Sequence, residues 1–566
     1  MDKLSLCRKT LSPLGKDVML CVLLVVISAL MTFFNLGDSS FPQTSYSFAD
    51  NEPVFIDFGK TINFQGAVFL NGGSPYAGFR LYSWDGENVI NPLQEETRNI
   101  HFRWLAFTFE TRTRYVVIEP TAPNISILEM GFLSNNKFIE PVSFSTSEAV
   151  TMFDEQSLIP ENPSYMNDMN FDETHHALTA YDFIHNQQPR EWTHPPFGKS
   201  IIATGIRMFG MTPFGWRFMC ALFGIIMIIP LYLLGKFMFG SRIPAFAAAF
   251  VFAFDFMHFV QARVATLDTF LVTFIIFMYL FMYKYIKIEP EKRLEPKSLV
   301  CLALSGAFMG LAISVKWQGV YAGLGLAALF ALTWYDSKTH YDTHKRKESL
   351  IKDFSKTAKW CALFFVAIPL AIYCVSYIPF VRASGLRWPK GIIDSQLDML
   401  NFHTNLAEDN DYQSRWWTWP LNLRPIYYYR LNKGDGVYRG INSFGNPALW
   451  WGGLLALLWC IKRWIADHDK TARFLVVTWT SQIMPWVFVD RSTFIYHYFP
   501  CVPFLALMTA HFINTRPEKH KMKYALAYCV LVFALFIMFY PTLSGMIVDV
   551  DYIAGLEWLP GWQFQG

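Results

Sequence analysis

Two adjacent carboxylates, Asp172 and Glu173, stand in the stretch NFDETHHALTAYDFIHNQQPREWTHPPFGK, together with His175, His176, His194 and Lys199. A positioned carboxylate can take the proton of a hydroxyl as that hydroxyl attacks an electrophilic carbon. The first turn of a helix also favours acids, so capping is the competing reading of either one. Ala177, Leu178, Ala180, Phe183 and Ile184 recur at helical spacing and predict a short amphipathic helix with the two acids at its N-terminal end. His175 and His176 read equally as interfacial side chains, because a His pair with no further ligand carries little weight for a metal.

Other charges sit where a charge needs a reason. Arg217 opens one apolar run, Arg263 and Asp268 flank a short turn, and Lys316 lies in SVKWQG between two runs. Asp490, Arg491 and His497 follow in DRSTFIYHYFPCVPF. Taken singly, each is explained by snorkelling at a membrane surface. Together they fall on one side of the predicted topology, where they can converge on one cavity with the acidic pair, and converging Arg and Lys suit a phosphate group. The stretch SRWWTWPLNLRPIYYY, with Trp417 and Trp419, reads as an interfacial aromatic belt or as a platform for a sugar ring and a polyprenyl tail.

The elements that must position these residues are mostly membrane helices. A chain of 566 residues that is 53% hydrophobic, 17% aromatic and only 16% charged is too apolar for a soluble protein of this size. Its apolar residues gather into runs of about twenty, the length of a spanning helix. After a first run at 18–34, which reads as a retained helix rather than a signal peptide, further spans are predicted near 216–236, 243–260, 269–286, 298–315, 318–334, 358–380, 447–461, 474–489, 494–513 and 524–541. Lys and Arg gather in alternate connections, with Lys338, Lys345, Arg346, Lys347, Lys352 and Lys356 in one of them. The positive-inside rule then predicts a cytoplasmic N-terminus, about eleven spans and an extracytoplasmic C-terminus.

Two long segments face outward in this topology. From about Ser45 to Leu133 short alternating stretches such as VFIDFG, AVFLN, FRLYSWDG and RYVVIEP, broken by Gly, Asn and Pro, predict an antiparallel β-sandwich, and these segments resemble a discoidin-like or carbohydrate-binding jelly roll. Tyr82 and Trp84 could bind glycan there, although an aromatic side chain in a sandwich is more often core. The predicted order is a cytoplasmic N-terminus and first helix (1–34), the extracytoplasmic sandwich (35–145), and a catalytic loop with the Asp-Glu motif and surface helices (146–215). Transmembrane helices (216–380), a loop rich in Trp and Tyr (381–446), more transmembrane helices (447–541) and an extracytoplasmic tail (542–566) follow. All nine cysteines fall outside the stretch between Phe34 and Trp216, without CxxC or Cys/His zinc spacing.

The motifs FDETHH, HPPFGK, the arginine of GWRF, ARVATLDTFLV, SVKWQG, SRWWTWPLNLRPIYYY, GNPALWW, RSTFIYHYFPCVPF and LEWLPGW occur in this order. They cover most of the predicted membrane portion, and the chain they describe resembles the protein O-mannosyltransferase family, bacterial type, with the GT-C membrane fold. The resemblance implies inverting transfer of mannose from a polyprenyl-phosphate carrier to Ser or Thr hydroxyls on the outer face of the cell membrane. It implies that Asp172 is the general base, with Glu173 beside it, and that Arg217 is the family's essential arginine. Charge and topology add Lys199, Arg263, Asp268, Lys316, Arg491 and His497 as donor phosphate or sugar contacts, with His175, His176, His194, Trp417 and Trp419 in support. The inserted sandwich, which resembles a discoidin-like module, separates the acidic pair from the first span. The later outward segment is too short for the β-trefoil of eukaryotic members, which favours a prokaryotic source.

The expected partners are a lipid-linked sugar donor, membrane lipid, and a secreted protein or wall-glycan acceptor, with no nucleic acid. No metal site and no tightly bound cofactor is predicted, although acids beside a phosphate can hold a divalent cation. The competing enzyme reading keeps the donor but takes a cell-wall glycan or lipid as acceptor. A transporter or receptor is the alternative from another class; it fits less well, because no internal repeat is visible and the charges lie at helix ends.

Overall fold

The computed structural model describes residues 12–564 apart from 49–51, 73–77, 86–88, 97–101, 122–124, 344–346, 406–410 and 432–435. Lys345 and Arg346 of the basic connection lie outside the described residues. The chain forms two compact units, one of Met1–Phe34, Asp182–Ile202 and Phe218–Gly566, the other of Asn35–Tyr181 and Ala203–Arg217.

Among its described residues the smaller unit has eight antiparallel strands: β1 Tyr46–Phe48, β2 Val54–Asn71, β3 Phe79–Trp84, β4 Val89–Glu96, β5 Trp104–Pro120, β6 Ile125–Ser134, β7 Lys137–Ile139 and β8 Ser143–Phe144. They pair in the order β1-β6-β2-β5-β3-β4, with β7 added to β6 and β8 to β2. β2 buries alternate residues at its start, as period-2 patterning requires. The hydrogen bonding makes one connected sheet, yet the sheet folds over on itself. Phe69 pairs with Leu105 and Phe79 with Pro120 along β5, a separation of about 50 Å if the strand ran flat at roughly 3.3 Å per residue. The Phe69 and Phe79 rings nevertheless meet at 4.5 Å between centroids.

β2 and β5 lose register between Asp57 and Ile62 and again between Phe64 and Gly66, and bulges of this kind bend a strand pair. At the second shift a Cβ on Gly66 would lie 2.2 Å from the Phe107 carbonyl oxygen, so only glycine fits. Phe58, Phe64, Phe69, Phe79 and Phe132 fill the core so enclosed. Tyr82 and Trp84 stay out of it and are half-buried on the outer face, where Trp84 meets Phe55 at 4.7 Å and Tyr115 at 5.2 Å.

The larger unit is helical. Among the described residues six helices are long and apolar enough to cross a membrane: Leu14–Phe33, Pro213–Phe239, Asp268–Ile286, Pro296–Val315, Ser349–Ser384 and Glu518–Ser544. The other five predicted spans coincide with helices that are shorter or less apolar, at Arg242–Ala253, Gly319–Thr343, Pro447–Asp467, Lys470–Ile483 and Val502–Asn514. Asp268–Ile286 is the most enclosed of the six, with 78% of its apolar window buried, and Leu14–Phe33 the least, at 11%. Exposed Leu14, Val18, Met19, Val22 and Leu30 on that first helix need a lipid environment. Residues 381–446, the second segment predicted to face outward, include helix Lys390–Asn405, a turn at Trp416–Thr418, and a hairpin of Ile426–Leu431 with Val437–Ser443.

Candidate active site

In the smaller unit Glu173 opens helix Glu173–His185, as the helical spacing predicts. Its backbone N–H donates to the Asn170 carbonyl at 3.1 Å, and Oε2 accepts the Asn170 N–H at 2.8 Å, one arm of a capping box. Phe171 between them takes a left-handed φ of 52°, a conformation that costs a non-glycine residue free energy and is held by its surroundings. The Asp172 carbonyl accepts the N–H groups of His175 and His176, at 3.0 and 2.9 Å. The two acids therefore differ: Glu173 is fully buried, whereas Asp172 is only half-buried. His175 is exposed and His176 buried.

Glu173 is joined to Arg217 by two charge-assisted bonds, Nε to Oε1 and Nη2 to Oε2, both 2.7 Å. Arg217 Nη1 donates to the carbonyls of Leu36 (3.0 Å) and Tyr165 (2.7 Å), and Nη2 to that of Asp168 (2.8 Å). All five guanidinium N–H groups are thus accounted for by protein acceptors. The arginine expected at a donor phosphate instead ties together the segments on either side of the β-sheet. Burial pushes the nearby Asp168 carboxyl up to about 7, against its hydrogen bond from the Trp104 N–H.

In the helical unit, Lys199 is fully buried. Its ammonium donates to the Glu191 carboxylate, to the Glu191 carbonyl at 3.1 Å and to the His194 carbonyl at 2.8 Å, which uses its three protons. Burial lowers its pKa, against the pull of Glu191. The other Glu191 oxygen lies 3.1 Å from His194 Nδ1 and accepts from the Thr193 hydroxyl. Arg263 caps the first helix, with Nη1 donating to the carbonyls of Met31 (3.3 Å), Thr32 (3.1 Å) and Phe34 (2.5 Å). Lys316 meets both oxygens of Asp268 at 2.9 Å, and its ammonium stands 5.4 Å from the Tyr496 ring centre.

Lys316, Arg491, His497 and His194 come together around one cavity of about 860 Å³, whose wall also includes Trp317, Gln318, Tyr321, His403, Trp486 and Asp490. Arg491 has one hydrogen bond to a protein group among those described, from Nη1 to the Ser492 carbonyl at 3.3 Å. Burial holds its pKa below the usual guanidinium value. His497 packs between Trp419, stacked at 5.8 Å, and Trp486, edge-on at 4.5 Å. Trp419 is buried and donates to the Ser414 carbonyl at 3.1 Å; Trp417 is exposed and lines a second cavity of about 710 Å³ with Arg415, Arg424, Asp490 and Arg491. Asp172, Glu173 and Arg217 belong to the other compact unit.

Trp317, Gln318, His403 and Trp486 were not among the residues expected at the site. Trp317 and Gln318 could have been found, because they stand in the motif SVKWQG with Lys316, in the short turn between helices Pro296–Val315 and Gly319–Thr343. His403 and Trp486 carry no such signal. Among the described residues, Glu129, Asp154 and Glu155 alone bring carboxylate oxygens close enough to share a metal ion. These oxygens accept hydrogen bonds from Gln43, Thr44, Gln156 and the Glu155 N–H.

Two family models match the chain: "Dolichyl-phosphate-mannose-protein mannosyltransferase" over residues 193–346 and "C-terminal four TMM region of protein-O-mannosyltransferase" over residues 388–562. The polyprenol-phosphate-mannose–protein mannosyltransferase of Corynebacterium glutamicum is 26% identical over 464 residues, covering 69% of this chain and 88% of its own. The Mycobacterium tuberculosis protein of that name is 24% identical over 459 residues, covering 69% of this chain and 86% of its own. Among solved structures, the Saccharomyces cerevisiae protein O-mannosyltransferase Pmt1-Pmt2 complex bound to the sugar donor aligns with a TM-score of 0.61 at 15% identity, over 70% of this chain and 89% of that one. The helical fold is therefore shared well beyond the reach of sequence identity.

Proposed function

Because the chain belongs to the protein O-mannosyltransferase family, we propose that it transfers mannose from a polyprenyl-phosphate carrier to serine and threonine hydroxyls of secreted proteins. It is a membrane glycosyltransferase with a GT-C fold. The observation that carries the reading is the cavity of about 860 Å³ in the helical unit, where Lys316 and Arg491 stand among aromatic rings. A lipid-linked sugar phosphate needs that mixture, with cations for the phosphate and ring faces for the sugar.

In the proposed reaction the acceptor oxygen attacks the anomeric carbon of mannose, and the bond from that carbon to the phosphate oxygen breaks with inversion. The carrier phosphate keeps the electron pair and leaves as a stable anion, so no acid is required. Arg491 stabilises the charge that develops on it; Lys316, already paired with Asp268, adds a weaker field. Asp172 takes the hydroxyl proton. Its half-exposed position suits contact with an acceptor, whereas buried Glu173 and Arg217 hold the helix that carries it. The N-terminus is cytoplasmic and the reaction proceeds on the outer face, the orientation the Lys and Arg distribution favours.

A second acceptor class has one supporting observation. Trp84, Tyr115 and Phe55 make a half-exposed aromatic patch on the sheet's outer face, beside the exposed Arg114–Asp57 pair, and such surfaces suit sugar rings. Transfer from radiolabelled polyprenyl-phosphate-mannose should be measured against a panel of Ser/Thr peptides, wall polymer and lipid. Label in peptide is the expected result, and label only in polymer or lipid refutes the protein acceptor.

A further inference from the structure

Three residues lining the 860 Å³ cavity carry a buried polar atom that no protein group among those described meets: Gln318 Oε1, His403 Nδ1 and Trp486 Nε1. Buried polar groups in folded proteins are nearly always paired, so three orphans around one cavity call for a ligand or solvent partner of matching chemistry. Their roles are fixed by their other bonds. The Gln318 amide nitrogen donates to the His497 carbonyl at 2.9 Å, which leaves the amide oxygen as an acceptor. His403 Nε2 lies 2.8 Å from the Thr193 carbonyl, which can only accept, so Nε2 carries the proton and Nδ1 of the neutral ring is an acceptor. Burial lowers the His403 pKa to about 4, so the ring is neutral at physiological pH. Trp486 Nε1 can only donate.

Two acceptors and one donor, all uncharged, do not suit a phosphate. They match hydroxyl groups, each of which both gives and takes a hydrogen bond. Aromatic rings, whose faces pyranoses favour, line the same cavity: Trp317, 6.1 Å from the His403 ring, and Tyr321, perpendicular to Trp486 at 5.6 Å. Resting on the donor reading above, we propose that Gln318, His403 and Trp486 form the subsite that reads the hydroxyl pattern of the carrier's sugar. They set which hexose is transferred, while Arg491 binds the phosphate common to all such donors. A site built to hydrogen-bond a hydroxyl discriminates strongly against a sugar that lacks or misplaces it, because its buried polar groups then stay unpaired.

The test uses the full-length protein in lipid nanodiscs, with W486F, which keeps a ring and deletes the orphan N–H, and H403F, which keeps a ring but removes the Nε2 bond to the Thr193 carbonyl as well as the orphan Nδ1. Binding of bare polyprenyl phosphate, polyprenyl-phosphate-mannose and polyprenyl-phosphate-glucose is measured, with thermal stability alongside. The wild type is expected to prefer the mannose donor to both others. Each variant is expected to lose about tenfold on the mannose donor, as one lost hydrogen bond to a buried group implies, to narrow the mannose-to-glucose ratio, and to hold bare polyprenyl phosphate within twofold. Equal losses on bare and sugar-bearing carrier, or no loss on either, overturn the subsite. A wild type that binds bare carrier as tightly as the mannose donor also overturns it but leaves the carrier reading standing; a wild type that binds neither overturns both.

Discussion

Replacing Glu173 with alanine should destabilise the smaller unit before it says anything about catalysis. Glu173 and Arg217 are 0% and 1% exposed, and of the arginine's five hydrogen bonds described above the two at 2.7 Å to Glu173 are those to a carboxylate. The alanine variant leaves a buried guanidinium with two unpaired N–H groups and strips the acceptor from the Asn170 N–H as well. Breaking one partner of a buried pair costs about 3–5 kcal/mol. For a unit of this size each kcal/mol moves the midpoint by roughly 2–4 °C, so a fall of about 6–20 °C in the first thermal transition is expected. Glu173→Gln keeps one acceptor oxygen and should lie between wild type and alanine. The double variant E173L/R217M should recover only part of the loss, because Arg217 also serves three carbonyls. Scanning calorimetry in detergent, with mannose transfer measured well below the midpoint, is the assay. A Glu173→Ala protein with an unshifted midpoint and no transfer would falsify the structural role and make Glu173 a catalytic group.

Asp172→Asn should cut transfer by about 10²–10⁴ while the midpoint stays within a few degrees of wild type, since a positioned base supplies an effect of that size; retained turnover would remove Asp172 from the mechanism. Arg491→Ala should weaken donor binding by roughly 10- to 100-fold, and Arg491→Lys should restore only part of it, because an ammonium lacks the planar fork that grips a phosphate. Equal affinity in all three proteins, read by titration with polyprenyl phosphate, would place the phosphate elsewhere. Stability of the smaller unit should fall as pH rises from about 4 to 7. Burial raises Asp168 to about 7 and Glu129 to about 8, above unfolded values near 4, so the folded unit binds more protons across that window. Asp168→Asn keeps an acceptor for the Trp104 N–H and should flatten the slope; an undiminished slope in that variant would show that Asp168 is not its source.

The membrane helices were legible because a run of apolar residues needs no distant partner to be recognised. The β-unit was legible as strands but not as a path. VFIDFG and AVFLN read as separate strands divided by turn signals, whereas β2 runs through both and turns Gly59 and Gly66 into bends within one strand. A glycine with positive φ looks the same in sequence whether it ends a strand or bulges it. At 494–513 the apolar run predicts one span, but Pro500 and Pro503 divide it into a 3₁₀ segment, Ile495–Cys501, and helix Val502–Asn514.

Charged residues were easy to flag and hard to assign, because an arginine at a membrane surface looks alike whether its partner is a protein carbonyl or a substrate phosphate. Arg217 finds its carboxylate 44 residues away, Lys316 finds Asp268 48 residues away, and Arg263 reaches carbonyls about 230 residues away. None of these separations has a sequence signature. What separates the roles is donor accounting: Arg217 and Lys199 have every N–H committed to protein, Arg263 is bound to a helix end, and Lys316 is neutralised by Asp268. Of the two Lys and Arg side chains that line the larger cavity, Arg491, with one hydrogen bond to a carbonyl among the described groups, has more capacity for a ligand than Lys316, and it also lines the second cavity. A phosphate held there would have Lys316 and Asp268 as a near-neutral neighbour rather than a second full charge. The carrier phosphate would then be gripped by one guanidinium and released readily after transfer, which an enzyme that must exchange its lipid carrier at every turnover requires.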